Sequence, residues 1–118
     1  MKIILFIQPP SRQRQPYYLE LECSGQCVKL GAGKCEVRLL DRDCSDLHSE
    51  VYYDGMFFWL RDRSRDGETY LGAHKINKSL LPVRAVFRLG QTLISIVKTE
   101  EATSKKRGFA GSYLVKST

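Results

Sequence analysis

Short alternating runs, each stopped within a few residues by a turn signal, constrain this 118-residue chain more than any other feature. Residues 17–22 (YYLELE) alternate strictly, residues 37–39 (VRL) do so briefly, and residues 93–97 (LISIV) form a β-branched run of strand length. Period-two alternation places apolar side chains on one face of a strand, whereas a helix would scatter them around its axis. Turn signals recur at Gly25, Gly31-Ala32-Gly33, residues 41–46, Asp54-Gly55, Asp66-Gly67, Gly72 and Gly90. Short strands at this spacing, with no linker between them, predict one all-β sandwich or barrel domain over residues 1–118, either alone or as one domain of a larger protein. A chain of this length can bury one core. The apolar opening 3–7 (IILFI) is stopped by Gln8-Pro9-Pro10, too short for a signal-peptide core or a membrane span, and reads as the first strand. Residues 99–106 (TEEATSKK) are the least β-like and read as a short helix or a loop before a last strand-like run at 112–116 (SYLVK).

Two polar loops interrupt this pattern. Residues 37–51 (VRLLDRDCSDLHSEV) set Ser45 and His48 in a turn between strand-like runs. Residues 56–60 (MFFWL) read as a buried strand that runs into the charged loop 61–70 (RDRSRDGETY), with an Asp-Gly turn signal. Loops held on a rigid β scaffold are where binding residues concentrate.

From Leu30-Gly31 through Val37-x-Leu39, Ser45-x-x-His48, Leu60-x-Asp62, Ser64-x-Asp66-Gly67-x-Thr69 and Phe87-x-Leu89-Gly90, the chain resembles the forkhead-associated (FHA) domain family. The ordered series carries this resemblance, because Ser-x-x-His alone recurs by chance. It implies an FHA-like (SMAD/FHA) β-sandwich of about eleven strands that binds phosphothreonine-containing proteins or peptides through loops at one end. Signalling, cell-cycle and DNA-damage settings are implied with it.

A phosphothreonine carries nearly two negative charges and three strong acceptors, so its reader needs hydrogen-bond donors and a nearby cation. The resemblance implies that Ser45 donates its hydroxyl to the phosphate, that His48 braces the loops without touching ligand, and that Gly31 and Gly67 shape them. Three positions depart from the family pattern. Ala32 fills the usual arginine slot after Leu30-Gly31, leaving Lys34 to reach in from the same loop. Asp46 replaces a commonly basic residue after the serine, with Arg42 available to pair with it or with phosphate. Asp66 replaces an asparagine that holds peptide backbone, and an ionised carboxylate can only accept hydrogen bonds. Arg65 is a further candidate cation, one that would favour an acidic residue C-terminal to the phosphothreonine. Glu68 separates Gly67 from Thr69, which is expected to continue the turn.

The loops hold five cations (Lys34, Arg42, Arg61, Arg63, Arg65) and six anions (Asp41, Asp43, Asp46, Asp62, Asp66, Glu68), although the whole chain carries +6. Local ion pairs, each worth about 0.2 to 1 kcal/mol when exposed, would occupy some of the arginines. The basic surplus favours acidic partners. Lys105-Lys106-Arg107, Arg12 and Arg14 read as solvated charge, and no basic stripe interleaved with aromatics stands in the linear sequence, so nucleic acid is not an expected partner. Trp59 with Phe57 and Phe58 reads as core plus one outward aromatic. The alternative to phosphopeptide binding is phosphate-independent protein contact or homodimerisation through a sandwich face, favoured if residues 51–60 expose apolar side chains. With no targeting or spanning segment, an intracellular setting, nucleus or cytoplasm, is expected. Cys23, Cys27, Cys35 and Cys44 are then free thiols, and their spacing offers no close pair for zinc. No nucleophile with its base and no metal set is visible, so the reading is a binding module and not an enzyme, with no cofactor.

Overall fold

The computed structural model describes residues 1–10, 14–23 and 25–101. Eleven strands form two sheets: β1 (Lys2–Gln8), β2 (Tyr17–Glu22), β3 (Val28–Gly31), β4 (Val37–Arg38), β5 (Ser49–Tyr53), β6 (Phe58–Asp62), β7 (Thr69–Leu71), β8 (His74–Ile76), β9 (Lys78–Leu80), β10 (Val86–Leu89) and β11 (Thr92–Glu100). A six-stranded sheet runs in the order β2-β1-β11-β10-β7-β8, and a five-stranded sheet in the order β4-β3-β5-β6-β9. The strand pairs are antiparallel except β3 with β4, which is parallel.

The period-two geometry of the strands builds the core from their apolar residues. In β1, Ile3, Leu5 and Ile7 are buried while the residues between them are partly exposed. They meet Leu30, Val37, Val51 and Leu60 of one sheet and Phe87, Leu89, Ile94 and Ile96 of the other in one buried cluster. Each fully buried aliphatic side chain contributes about 1.5 to 3 kcal/mol, so it is this cluster that holds the two sheets together.

Three expectations are corrected. The strand expected at 56–60 begins at Phe58, because Asp54 accepts the Met56 and Phe57 N–H groups (both 2.8 Å) and closes a tight hairpin there, leaving Met56 and Phe57 exposed. Thr99 and Glu100 belong to β11 and not to a helix or loop, because β1 continues opposite them, Ile3 facing Thr99 and Lys2 facing Glu100. Thr69 does not continue the Asp66-Gly67 turn: it opens β7 and is fully buried. The expectations for residues 102–106, 112–116, Lys105-Lys106-Arg107 and Arg12 lie outside the described residues.

The topology gathers loops at one end. The chain crosses from β6 of one sheet to β7 of the other through residues 63–68, and that crossing lies beside residues 45–48, while residues 41–46 in turn touch the β3–β4 connection and the β10–β11 turn.

Candidate functional site

Residues 41–48 form the first wall of the site, and Asp41 organises it. Its carboxylate accepts the Asp43 N–H (2.9 Å), the Gln91 N–H (2.8 Å) and the Thr92 hydroxyl (2.8 Å), tying the loop to the β10–β11 turn. Burial pushes its pKa up, but these hydrogen bonds together outweigh that and hold it below the ordinary aspartate value. Cys44 donates its thiol to the Leu89 carbonyl at 3.3 Å. Burial, with the nearby Asp41 charge second, pushes that thiol up to about 12, so it stays protonated and is no nucleophile.

His48 is buried and bridges both loops. Its Nδ1 accepts the Ser45 N–H (3.1 Å), which places the ring proton on Nε2, and Nε2 then donates to the Glu68 carbonyl (3.0 Å). Gly31 presses against the same loop: a Cβ there would sit 2.9 Å from the Ser45 carbonyl oxygen and 2.8 Å from the Asp46 carbonyl carbon. Only glycine permits that approach, and it lets Ala32 and Gly33 donate to the Ser45 and Asp46 carbonyls (both 3.0 Å).

The second wall, residues 63–68, hangs from Asp62. One oxygen, Oδ1, accepts the Ser64 N–H (3.2 Å), the Ser64 hydroxyl (2.7 Å) and the Thr69 hydroxyl (2.6 Å). Ser64 Oγ in turn accepts the Glu68 N–H (2.8 Å), and Thr69 lies 2.7 Å from the buried Ser49 hydroxyl. Gly67 turns the loop with a left-handed backbone (φ 66°).

Between the walls lies an open cavity of about 600 Å³, lined by Asp43, Cys44, Ser45, Asp46, Leu47, Arg63, Arg65 and Asp66. Of the residues singled out from sequence, Ser45, Arg65 and Asp66 meet there, and His48, Gly31 and Gly67 sit behind or within the walls. Arg42 instead lines a neighbouring depression of about 400 Å³ with Pro10, Leu40 and Gln91. Lys34 is exposed and lines neither. Ser45 Oγ accepts the Arg65 N–H at 3.3 Å, which leaves its own O–H to donate into the cavity. Arg63 pairs through Nη1 with the nearly buried Glu50 (2.8 Å) and keeps its other N–H donors. Among the described residues Arg65 has no ion pair, so the expected neutralisation of arginines by loop acids reduces to one pair, with a strand residue.

Asp41 and Glu50 are the important residues that sequence reasoning missed. Asp41-x-Asp43 carried an Asx-turn signal, but Gln91 and Thr92 lie about fifty residues downstream, where no local pattern points.

The fold and the site define a two-sheet β-sandwich that carries its polar cavity on loops at one end. The family model for the FHA domain matches residues 28–90, more than half of the chain, and the chain belongs to that family. The matched span covers β3 to β10, while β1, β2 and β11 complete the six-stranded sheet around it. Among solved structures, the chain is similar to an FHA domain from a structural and functional analysis of phosphothreonine-dependent FHA domain interactions, with 23% identity, TM-score 0.68, and coverage of 86% of this chain and 100% of that one. It is also similar to the FHA domain of the CT664 protein from Chlamydia trachomatis (21% identity, TM-score 0.69, 85% and 100% covered). A third similar structure is the FhaA FHA domain complexed with the intracellular domain of Rv3910 (25% identity, TM-score 0.65, 80% and 98% covered). Comparison with curated proteins gives no match.

Proposed function

We propose that this chain is a phosphothreonine-binding module whose reader is the cavity between residues 41–48 and 63–68. The observation that carries this reading is the disposition of Ser45. Its oxygen takes the Arg65 backbone N–H, its hydroxyl proton is left for an incoming acceptor, and Arg65, exposed and without an ion pair among the described residues, lines the same cavity. A dianionic phosphate fits that combination of hydroxyl donor and guanidinium. Family membership supports it, as does likeness to a domain studied for phosphothreonine-dependent interactions.

In this reading Ser45 donates to phosphate and Arg65 supplies the charge that Ala32 does not, with Arg63 adding a second set of donors. Asp66 accepts a peptide N–H. Arg42 and Lys34 act at longer range, on residues flanking the phosphothreonine. Asp43 and Asp46 oppose an acidic flank, which tempers the preference that Arg65 alone would set.

Calorimetry with one peptide in phosphothreonine, phosphoserine and unmodified forms tests the reading. Selective binding of the phosphothreonine form, lost in Ser45→Ala, supports it; equal or absent binding of all three overturns it. A second reading is favoured by one observation, the exposure of Met56 (77%) and Phe57 (53%) at the β5–β6 hairpin. These residues would serve a phosphate-independent protein contact or a homodimer.

A further inference from the structure

The two outer sheet faces dispose of their charge differently. On the six-stranded sheet Lys2 pairs with Glu20 (3.3 Å) and Glu100 (3.7 Å), Lys98 pairs with Glu100 (3.9 Å), and the N-terminal ammonium pairs with Glu22 (2.7 Å). On the outer face of the five-stranded sheet the acids are paired or hydrogen-bonded, and the cations of one row have no acidic partner among the described residues. Register places Lys29, Glu50, Arg61 and Lys78 in one row across β3, β5, β6 and β9. Glu50 is taken by Arg63 and nearly buried, and the Glu36 carboxylate accepts the Lys29 backbone N–H (2.7 Å). Lys29, Arg61 and Lys78 are exposed and have no ion pair among the described residues.

The next outward-facing row, about 7 Å along the strands, is Tyr52, Trp59 and Leu80. The Tyr52 and Trp59 rings are near parallel (15° apart, centroids 6.4 Å), and the Lys78 ammonium lies over both, 5.7 and 5.0 Å from their centroids. Asp54 Oδ2 accepts the Trp59 indole N–H at 2.7 Å and fixes the ring in place. The sequence scatters these residues over fifty positions, and pairing of the strands assembles them into an aromatic row beside a cationic one. An acidic peptide would use the cations and leave the aromatic row idle. A strand of nucleic acid uses both, because its phosphates are anionic and every base has a flat face to stack.

We propose that the outer face of the five-stranded sheet binds single-stranded nucleic acid, its phosphates along Lys29, Arg61 and Lys78, with the Lys78 ammonium moving off the Tyr52 and Trp59 rings to a phosphate as a base stacks against them. The aromatic row lies further from the loop cavity than the cationic row, which meets the cavity's edge through the Glu50–Arg63 pair, and binding on this face does not depend on phosphothreonine binding there.

Trp59 is the chain's one tryptophan, so its fluorescence reports the face directly. The test titrates the full chain with fluorescently labelled single-stranded oligothymidylate and oligouridylate, a DNA duplex and a poly-glutamate peptide, reading anisotropy and, with unlabelled ligands, Trp59 emission. Expected is quenching by the single strands, with log affinity falling against log salt at a slope of about −2 for three phosphate contacts. Arg61→Gln with Lys78→Gln is expected to weaken binding about tenfold, with the chain still folded by thermal unfolding and phosphopeptide affinity unchanged. Binding without quenching, equal binding of the duplex or poly-glutamate, insensitivity to the double variant, or no binding at low salt would each overturn the proposal.

Discussion

The two walls of the loop cavity are built by different means. Residues 41–48 are anchored through buried groups: Asp41 reaches the β10–β11 turn, His48 reaches Glu68, and Gly31 packs beneath the backbone. Residues 63–68 are held at their two ends by His48, through the Arg63 N–H and the Glu68 carbonyl, and between them by one carboxylate oxygen of Asp62 and the Ser64 hydroxyl, and Arg65 and Asp66 project from them exposed. The first wall is a fixed surface that presents Ser45, and the second is a lighter arm that presents charge. The braces Asp41, His48 and Thr69 are buried and the charged residues Arg65 and Asp66 exposed, so substitutions should separate into those that cost stability and those that cost only binding.

The largest effect is expected from Gly31→Ala. The added Cβ collides with the Ser45 and Asp46 backbone, where nothing flexible can yield, and the fixed wall must shift. A loss of about 3 kcal/mol in denaturant unfolding, with loss of phosphopeptide binding, is expected. Unchanged stability would show that the wall is less fixed than its contacts indicate.

Asp41→Ala should follow, at about 2 to 3 kcal/mol, because it strands the donors of Asp43, Gln91 and Thr92 around a lost charge. This effect carries a pH signature. The folded-state pKa of Asp41 is lowered from 3.8, so its stabilisation is complete above that pH and is lost as pH falls through the lower folded value. The gap between wild type and Asp41→Ala should narrow as pH falls below about 4, and a gap constant down to strongly acid pH would contradict the assignment.

On the lighter wall, Thr69→Val removes a hydroxyl shared with Asp62 and Ser49 and should cost about 1 to 2 kcal/mol by thermal unfolding. The smallest stability effect belongs to the readers. Arg65→Ala should leave stability within about 0.5 kcal/mol of wild type yet weaken phosphothreonine-peptide binding about tenfold or more, the loss of a charge-assisted contact. An Arg65→Ala domain that bound as tightly as wild type would move the charge role to Arg63 or Arg42.

The contrast between the walls also explains what could be read from the sequence. Alternation in residues 17–22 is local and locates β2 and its inward side, and the apolar run 3–7 locates β1 without marking which side faces in. The ordered motifs at Ser45, His48, Asp62 and Thr69 point to the loop end, and Ser45, Arg65 and Asp66 do converge there. What escaped depends on partners far along the chain. Thr99 and Glu100 are strand because β1 lies opposite them, and Asp41 is a brace because Gln91 and Thr92 meet it. Thr69 looked like turn chemistry, and its buried hydroxyl contacts become visible only when β5, β6 and β7 are brought together.

The most direct test of the central claim is an amide NMR titration of the chain with a phosphothreonine peptide and its unmodified counterpart. The account predicts that the phosphorylated peptide alone shifts the Ser45 and Arg65 N–H signals and those around them in residues 43–47 and 63–67. Shifts confined to the β5–β6 hairpin, or the same shifts with both peptides, would contradict it.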